Sequence, residues 1–423
     1  MNADTAAALQ EVTRAFRADD AERVRALLGR HPALRAMIGE PIGPFDSPAI
    51  VSVRSRAMLD VLLDAGADIN ARSRWWAGGF GLLDSASPEL AAYAIERGAI
   101  LDANAAARLG MIERLRELIE RDPALINTRG GDGQTPLHVA ATIEIAALLL
   151  DRGADVDARD VDHESTPAQY MTGGREDVAR FLVSRRCLTD IFLAAALGDA
   201  GLARRHLDAD SDCVRLRVSE EFFPKANARA GGTIYQWTLG FHVSPHQVAR
   251  TRGHEDVLRL LLERSPADVR LIEACWAADG DAARAILAEH PDVVARLSDR
   301  ERRQIAHAAR NNETAAVRLM LECGFPVHAA GQHSGTPLHW AAFHGNAEMA
   351  AVLLRFNPPL EARDADFNAT PLGWAVYGSE HGWHCETGDY ASVSEALLRA
   401  GAARPAEISG SPVVQDALRR HLR

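Results

Sequence analysis

The chain has 423 residues, of which 47% are hydrophobic, so it is long enough and apolar enough to build an extended folded core. Its formal net charge of −11 argues against nucleic acid as a main partner, because clustered cationic side chains bind the phosphate backbone. Among the 47 Lys and Arg residues the single lysine is Lys225, which excludes a glycine–lysine phosphate loop and leaves one residue for Schiff-base chemistry. We interpret the net charge as an acidic, solubilising surface.

The N-terminus and the cysteines predict the compartment. Residues 1–5 lack the basic region and apolar run of a secretory signal, and no apolar stretch approaches the roughly 20 residues that span a bilayer. The five cysteines are odd in number and form no C-x-x-C pair, so neither a disulfide framework nor a four-cysteine zinc site is expected. We predict a cytoplasmic protein with no membrane partner, and the excess of arginine over lysine favours a bacterial source.

Helix pairs are predicted along the whole chain. Some open with Ser or Thr followed by Pro, at Ser47-Pro48, Thr135-Pro136-Leu137-His138, Thr166-Pro167 and Ser244-Pro245. Others lack this opening and are predicted at 7–34, 104–126, 188–209, 271–294 and 303–331. Three of these have a proline just after the second helix, which ends there because proline lacks the N–H and clashes with the preceding turn.

The clearest units lie near the C-terminus. Thr336-Pro337-Leu338-His339-Trp340-Ala341-Ala342 is followed 34 residues later by Thr370-Pro371-Leu372-Gly373-Trp374-Ala375. This opening, repeated at a period near 33, predicts a turn and an antiparallel helix pair stacked on its neighbours. We predict an all-α solenoid of roughly eleven helix pairs in one right-handed stack.

These residues resemble the ankyrin-repeat family, and bacterial members in particular, over nearly the whole chain. The resemblance is closest at 131–138, 162–170, 340–346 and 370–383. It implies the ankyrin-repeat fold and a bacterial origin, with no assigned activity. The segments that open at Ser47 and Thr135 depart from the family pattern, because the turn between their helices is about three residues shorter. In this family the histidine of the opening, here His138 and His339, is expected to form hydrogen bonds between backbone turns.

Two stretches do not fit the repeat and are predicted insertions. Residues 218–243 are aromatic and glycine-rich, with a second half whose strand-like composition is compatible with a small β-hairpin. Residues 378–390 lie between the two helices of the Thr370 unit. We therefore divide the chain into an N-terminal stack at 1–217, an inserted aromatic loop or hairpin at 218–243, and a C-terminal stack at 244–423 that continues the first. Loops longer than stacking requires are often functional.

The tryptophans of the C-terminal units are the first candidate binding residues. Trp340 and Trp374 share one repeat position, and Trp340 and His344 are i,i+4 neighbours on one helical face. Aromatic residues at this spacing are usually core, but a row on the inner helices would offer a binding strip. Tyr377 completes the predicted row.

The second insertion holds the densest set of polar side chains. His381, Trp383 and His384 are predicted ligand-binding residues there. The histidines, with a neighbouring carboxylate, offer donors that zinc or iron uses. The spacing matches no established metal helix, so a solvated loop packed by Trp383 is the favoured interpretation and no metal or other cofactor is predicted.

Further candidates lie on the turn before Thr166 and in the first insertion. Asp162, His163 and Glu164 place acid and base side by side, which suits proton transfer but also partner contact or turn formation. Trp237 is the predicted binding residue of the 218–243 segment. No catalytic motif appears.

The predicted function is a monomeric scaffold or adaptor that binds a protein partner through the turns and the inner helices of its repeats. The alternative is a small-molecule-binding protein or enzyme, with a Trp- and His-lined pocket closed by loops 218–243 and 378–390.

Overall fold

The computed structural model describes residues 3–41, 43–405 and 407–421. Helices follow one another through these residues, and the pairing between strands is limited to one isolated bridge from Gly43 to Ser47. The predicted all-α class is confirmed. None of the described helices is both long enough and apolar enough to cross a membrane.

The α-helices are mostly short and come in consecutive pairs. In chain order they are α1 (Ala3–Arg17), α2 (Ala21–Arg30), α3 (Pro32–Ala36), α4 (Arg56–Asp64), α5 (Pro88–Glu96), α6 (Ala103–Arg108), α7 (Ile112–Arg121), α8 (Ile143–Asp151), α9 (Pro167–Met171), α10 (Glu176–Ser184), α11 (Ile191–Leu197), α12 (Ala200–Ala209), α13 (Tyr235–Thr238), α14 (Pro245–Thr251), α15 (Glu255–Arg264), α16 (Ala267–Trp276), α17 (Gly280–Glu289), α18 (Asp299–Arg302), α19 (Gln304–Arg310), α20 (Thr314–Glu322), α21 (Pro337–His344), α22 (Ala347–Leu354), α23 (Pro371–His381), α24 (Tyr390–Arg399) and α25 (Pro412–Arg420).

Short 3-10 helices complete the described secondary structure. They lie at Pro44–Asp46, Ala49–Ser52, Leu82–Asp84, Pro123–Asn127, Gly131–Gly133, Ser211–Arg215 and Gln332–Ser334. The chain divides into two compact units. Unit 1 comprises residues 1–197 and 217–241, and unit 2 comprises residues 198–216 and 242–423.

The histidine of each Thr-Pro-Leu-His opening ties two successive turns together. The Thr135 N–H donates to His138 Nδ1 at 3.1 Å, and His138 Nε2 donates to the Ser165 carbonyl at 3.1 Å. His339 repeats this geometry with the Ala369 carbonyl at 3.2 Å, so the predicted role of both histidines is confirmed. Burial lowers the pKa of His138 to about 4 and lowers that of His339, which favours the neutral ring these hydrogen bonds need.

The predicted shortening of the Thr135 unit is also present, and it removes the first helix. After Thr135 the chain makes only turns before α8 begins at Ile143, whereas Thr336 is followed by the full helix α21 and then by α22. The Ser47 unit is similar, because a 3-10 helix at Ala49–Ser52 precedes α4.

Arginines supply donors where a first helix is missing. Arg175 Nη1 donates to the Ala140 carbonyl at 3.1 Å. Arg108 donates through Nη2 to the Leu83 carbonyl at 2.7 Å, in the 3-10 helix at Leu82–Asp84. A buried carbonyl without a partner is costly, and the guanidinium group presents several donors in a fixed plane. Each side chain therefore replaces hydrogen bonds that a longer helix would have made within itself.

The first insertion forms no hairpin, so that prediction is wrong. Within 218–243 the described chain forms turns and the short helix α13. The Tyr235 ring is fully buried and packs against Phe192 and Phe223, with centroids 5.7 and 5.8 Å away. The backbone of the insertion forms hydrogen bonds with the turn before Thr166 and does not pair as two strands. Burial of an aromatic anchor decides this conformation against the strand-like composition.

The second insertion begins as helix, so the loop prediction is wrong for residues 378–381. α23 has 11 residues against eight in α21, and the turns that follow reach only to α24. Gly378 permits the close packing here, since a Cβ at this position would lie 2.6 Å from the Phe343 carbonyl oxygen. The Tyr390 hydroxyl donates to the same oxygen at 2.9 Å.

Candidate functional site

Unit 2 gathers the predicted tryptophans and histidines into one cluster on successive first helices. Trp340 on α21 meets Trp374 on α23 edge to face, with ring centroids 5.0 Å apart. Trp383, from the second insertion, stacks on Trp340 at 6.1 Å and lies 5.5 Å from His344. Phe343 meets Trp383 edge to face at 5.2 Å. We call these five rings the aromatic strip.

The strip has a buried floor and an exposed edge. Trp340 and Trp374 belong to the hydrophobic core of unit 2, as the core interpretation of these residues predicted. Trp383 remains 57% exposed and Tyr377, one turn after Trp374 on α23, is 60% exposed. The Arg310 guanidinium lies over the Trp383 ring at 5.1 Å. Burial lowers the pKa of Arg310 to about 10, yet the group stays a cation at neutral pH and stacks on the ring.

Two polar atoms of the strip are buried without a hydrogen-bond partner. They are Nε1 of Trp340 and Nδ1 of His344. His344 donates its other ring proton, on Nε2, to the Arg310 carbonyl at 2.8 Å. Burial lowers the pKa of His344 to about 4, so Nδ1 carries a lone pair at neutral pH. Native structures leave few buried polar groups unpaired, so such atoms mark places where a ligand or water is expected.

The histidines of the second insertion have separate neighbours. His381 contacts the Tyr377 ring at 4.8 Å, whereas His384 lies 5.2 Å from His344. Among the described residues, the group of side chains arranged to hold a metal ion lies elsewhere, in unit 1.

In unit 1 the predicted Asp162-His163-Glu164 turn and the first insertion come together. The Glu164 carboxylate accepts the backbone N–H groups of Ala226 and Asn227, both at 2.7 Å. The Gly231 N–H donates to the Asp162 carbonyl at 2.8 Å. These residues therefore hold the insertion in place, which agrees with the predicted turn formation.

Asp132, which the sequence interpretation missed, completes this group. Its Oδ2 and the Oδ2 of Asp162 lie 3.9 and 3.6 Å from Nε2 of His163. Burial raises the pKa of Asp132 to about 6, which the nearby His163 opposes and Asp162 reinforces. The signal was present in the sequence, because Asp132 stands on the preceding repeat's turn, 30 residues before Asp162.

Trp237 stands apart from both groups. Its ring is 66% exposed and meets Phe241 edge to face at 5.6 Å within unit 1. The structure thus brings together Trp340, His344, Trp374, Trp383 and His384, whereas Tyr377 and His381 form a separate pair. It also brings the Asp162 turn together and leaves Trp237 on the surface. Arg310 and Phe343 were missed as well. Their spacing of 33 residues is one repeat period, and this could have indicated that both lie on first helices.

Comparison with protein-family models supports the repeat assignment. The ankyrin-repeat model matches three times, at residues 103–195, 271–366 and 305–386. The all-helical structure and these matches together show an ankyrin-repeat fold. The matches do not extend to residues before 103, to residues 196–270 or to residues after 386, where the repeat assignment remains a prediction.

Similar segments occur in proteins of varied architecture. The chain is 30% identical over 120 residues to the mouse (Mus musculus) ankyrin repeat and SAM domain-containing protein 6, covering 27% of this chain and 13% of that protein. It is 29% identical over 98 residues to palmitoyltransferase Hip14 of Drosophila melanogaster, covering 23% and 15%. It is 42% identical over 65 residues to serine/threonine-protein kinase VIK of Arabidopsis thaliana, covering 15% of each. The match therefore spans about one seventh of each relative.

Proposed function

We propose that this ankyrin-repeat chain is a protein-binding scaffold or adaptor, and that the exposed edge of the aromatic strip is its recognition surface. Ankyrin repeats are typically protein-interaction modules, and stacked repeats present extended binding surfaces. The partner segment in this proposal is extended and carries apolar or aromatic side chains that pack on the exposed rings of Trp383 and Tyr377. The supporting observation is that the exposed Trp383 ring stacks on the buried Trp340 ring, while Tyr377 is exposed one turn after the buried Trp374.

The exposed edge of the aromatic strip is preorganised for binding. Trp383 is 57% exposed but is already held by Trp340, Phe343 and Arg310. Its side chain therefore loses little conformational entropy when a partner binds. Tryptophan, tyrosine and arginine are the residues that most often dominate binding energy at interfaces. A partner side chain laid on this edge removes apolar area from water without reshaping the repeat.

The test is selection of peptides from a random display library on the immobilised full chain, followed by affinity measurement in solution. We expect Trp383→Ala or Tyr377→Ala to weaken the selected peptides by about 30-fold, which corresponds to a hot-spot loss of about 2 kcal/mol. Phe356→Ala is the matched control, because Phe356 follows the second helix α22 in the same unit and is 40% exposed. Peptides that bind both strip variants as tightly as the wild type would contradict the proposal.

The small-molecule alternative is favoured by one observation, the unpaired Trp340 Nε1 and His344 Nδ1. Loop 217–241 belongs to unit 1, so we propose this alternative for the unit 2 residues alone. A ligand there would accept a hydrogen bond from the indole and donate one to the imidazole. A compound whose stabilisation of the chain disappears in His344→Phe but persists in Trp383→Ala would favour this alternative over peptide binding.

The remaining sequence predictions are part of the proposal: a cytoplasmic, monomeric protein of bacterial origin that binds neither nucleic acid nor membranes. Light scattering of the purified chain tests the monomer, and an electrophoretic shift assay with duplex DNA at low salt tests the nucleic-acid prediction. The net charge of −11 supports the prediction that the protein does not bind nucleic acid, because an acidic surface repels phosphate.

A further inference from the structure

We propose that Asp132, Asp162 and His163 bind one divalent transition cation in unit 1. The site lies outside the aromatic strip, and the inference goes beyond the proposed protein binding. One donor atom from each residue takes part, and the three atoms lie within 4.8 Å of one another.

The distances fit a shared ion better than direct hydrogen bonds. His163 Nε2 is 3.6 Å from Asp162 Oδ2 and 3.9 Å from Asp132 Oδ2. An N–H···O hydrogen bond would need about 2.7–3.2 Å. When two donor atoms each lie about 2.1 Å from a metal ion, they are about 3.0 Å apart if the donor–metal–donor angle is a right angle and about 3.4 Å apart if it is tetrahedral. The two pairs that include His163 would need to close by about 0.2–0.5 Å to reach this range, and the two carboxylate oxygens, which lie within 4.8 Å of each other, would also have to approach.

The tautomer of His163 presents a lone pair to this space. His163 Nδ1 lies 2.8 Å from the Gly232 carbonyl oxygen. A carbonyl only accepts, so the proton of the neutral ring resides on Nδ1 and the lone pair on Nε2 faces the two carboxylates. Metal-binding histidines almost always donate their second ring N–H to a carbonyl or carboxylate in this way.

Each carboxylate is oriented by a hydrogen bond to the oxygen that the metal would not use. The Trp75 Nε1–H donates to Asp132 Oδ1 at 2.9 Å, which leaves Oδ2 to face His163. The Gly231 N–H, which donates mainly to the Asp162 carbonyl at 2.8 Å, also makes a weaker contact of 3.3 Å to Asp162 Oδ1, which again leaves Oδ2. All three donor groups thus have the outer-shell contacts that fix metal ligands, and a cluster formed by surface charge alone would not need them.

Burial and charge favour occupation. The side chains of Asp132, Asp162 and His163 are 14%, 7% and 11% exposed, so an ion can enter but the carboxylates are largely withdrawn from water. Two carboxylates and a neutral imidazole carry a charge of −2, which a divalent cation balances. The mixed oxygen and nitrogen donors suit Mn²⁺, Fe²⁺ or Zn²⁺, whereas Ca²⁺ and Mg²⁺ prefer oxygen alone. Because the donors come from two turns and the contacts of Asp162 and His163 come from the first insertion, the ion would clamp that insertion.

Calorimetric titration of the full chain, freed of metal with a chelator, tests the inference with MnCl₂ and ZnCl₂ as probes. We expect one saturable site per chain, with MgCl₂ and CaCl₂ binding at least about 10-fold more weakly. Asp132→Asn and Asp162→Asn keep the side-chain shape and should each weaken binding by about 10-fold or more. Trp75→Phe removes only the orienting hydrogen bond and should weaken binding by about 10-fold.

The matched control is the double variant His381→Ala/His384→Ala, which removes the other histidine-rich segment and should leave binding unchanged. Co²⁺ absorption in the visible range gives a second readout, since its ligand-field bands report inner-sphere nitrogen and oxygen ligands. Circular dichroism confirms that each variant is folded. The inference is overturned if the wild type shows no saturable site, if both Asn variants bind like the wild type, or if binding is lost only in the control.

Discussion

The repeats that begin at Thr135 and Thr336 share their first four residues and the same histidine hydrogen bonds, but they differ at the fifth residue and again after the following Ala-Ala pair. Val139 is followed by turns, whereas Trp340 belongs to an eight-residue helix. The comparison separates two roles of the opening. Thr-Pro-Leu-His connects successive turns in both repeats, while the length of the first helix decides which side chains the repeat can gather on its inner face.

The two repeats also satisfy their backbone differently. In the short repeat Arg175 reaches the Ala140 carbonyl from the next repeat. In the long repeat α21 makes its own hydrogen bonds and ends in the left-handed residue Gly345, whose φ is 63°. A deletion in a first helix is thus tolerated when a neighbouring arginine takes over, and four sets of substitutions can test this contrast.

The largest expected effect is at the fifth position. Trp340→Ala should lower the free energy of unfolding of unit 2 by about 3–5 kcal/mol, because it leaves a cavity beneath Trp374 and Trp383. Val139→Ala in the short repeat should cost about 1 kcal/mol, since that side chain is only half-buried and smaller. Denaturant unfolding of both variants measures the difference, and equal losses would show that the two repeats depend on this position alike.

Acid should destabilise the long repeat through a histidine that the short repeat lacks. The folded pKa of His344 is about 4, below the value of about 6.5 in an unfolded chain, and Arg310 and His384 both oppose its protonation. Its contribution is complete above pH 6.5 and is lost as the pH falls towards 4, by about 3 kcal/mol. His344→Gln should flatten the pH dependence of unit 2 unfolding in that window. An unchanged profile would argue against the buried neutral ring.

Removal of the bridging arginine should affect only the short repeat. Arg175→Ala leaves the Ala140 carbonyl without its donor and should cost about 2 kcal/mol in unit 1. Arg175→Lys should restore only part of this, because an ammonium group cannot reproduce the planar donors. Arg121→Ala is the control, since that side chain is 72% exposed. Hydrogen exchange would localise the loss, and exchange unchanged around 137–142 would contradict the bridging role.

The smallest effect is expected at the end of the long helix. Gly345→Ala should cost about 1–2 kcal/mol, because its φ is positive and the new Cβ would lie 2.9 Å from the Gly388 Cα. Gly29→Ala in α2 meets no atom within 4 Å and should stabilise by about 0.5–1 kcal/mol. Thermal unfolding should show a lower melting temperature for Gly345→Ala and a higher one for Gly29→Ala. Melting temperatures that shift in the same direction would contradict the role of the positive φ at Gly345.

Much of the fold could be predicted because the repeat signal is local. The openings at Thr135 and Thr336 both specify a turn and a histidine hydrogen-bonded between turns within a few residues, and at Thr336 a helix follows directly. The hairpin could not be judged this way, because Tyr235 is fixed by Phe192, which lies 43 residues earlier in the chain, as well as by Phe223 of the same insertion. Composition reports local preference, and here burial against these partners overrides it.

The residues of the candidate sites also divide into those that the sequence could place and those that it could not. Trp340 and Trp374 could be paired from the sequence since they occupy one repeat position. Asp132 was missed because its partners lie on the next turn, and Trp75, which orients it, is 57 residues earlier in the chain. The repeat period predicts which residues of successive turns are in contact only when the length of each repeat is known, and several repeats of this chain are shortened.

The packing of the tryptophans has an optical consequence. Indole rings 5.0 and 6.1 Å apart, as in Trp340, Trp374 and Trp383, share their electronic excitation, so unit 2 should show a split near-ultraviolet circular dichroism band. Excitation absorbed by the buried rings passes to the exposed Trp383, whose emission wavelength depends on contact with water. A molecule that covers this ring should therefore shift the fluorescence to the blue without any added dye. Trp383 is therefore an intrinsic fluorescent probe of how much water contacts the edge of the strip.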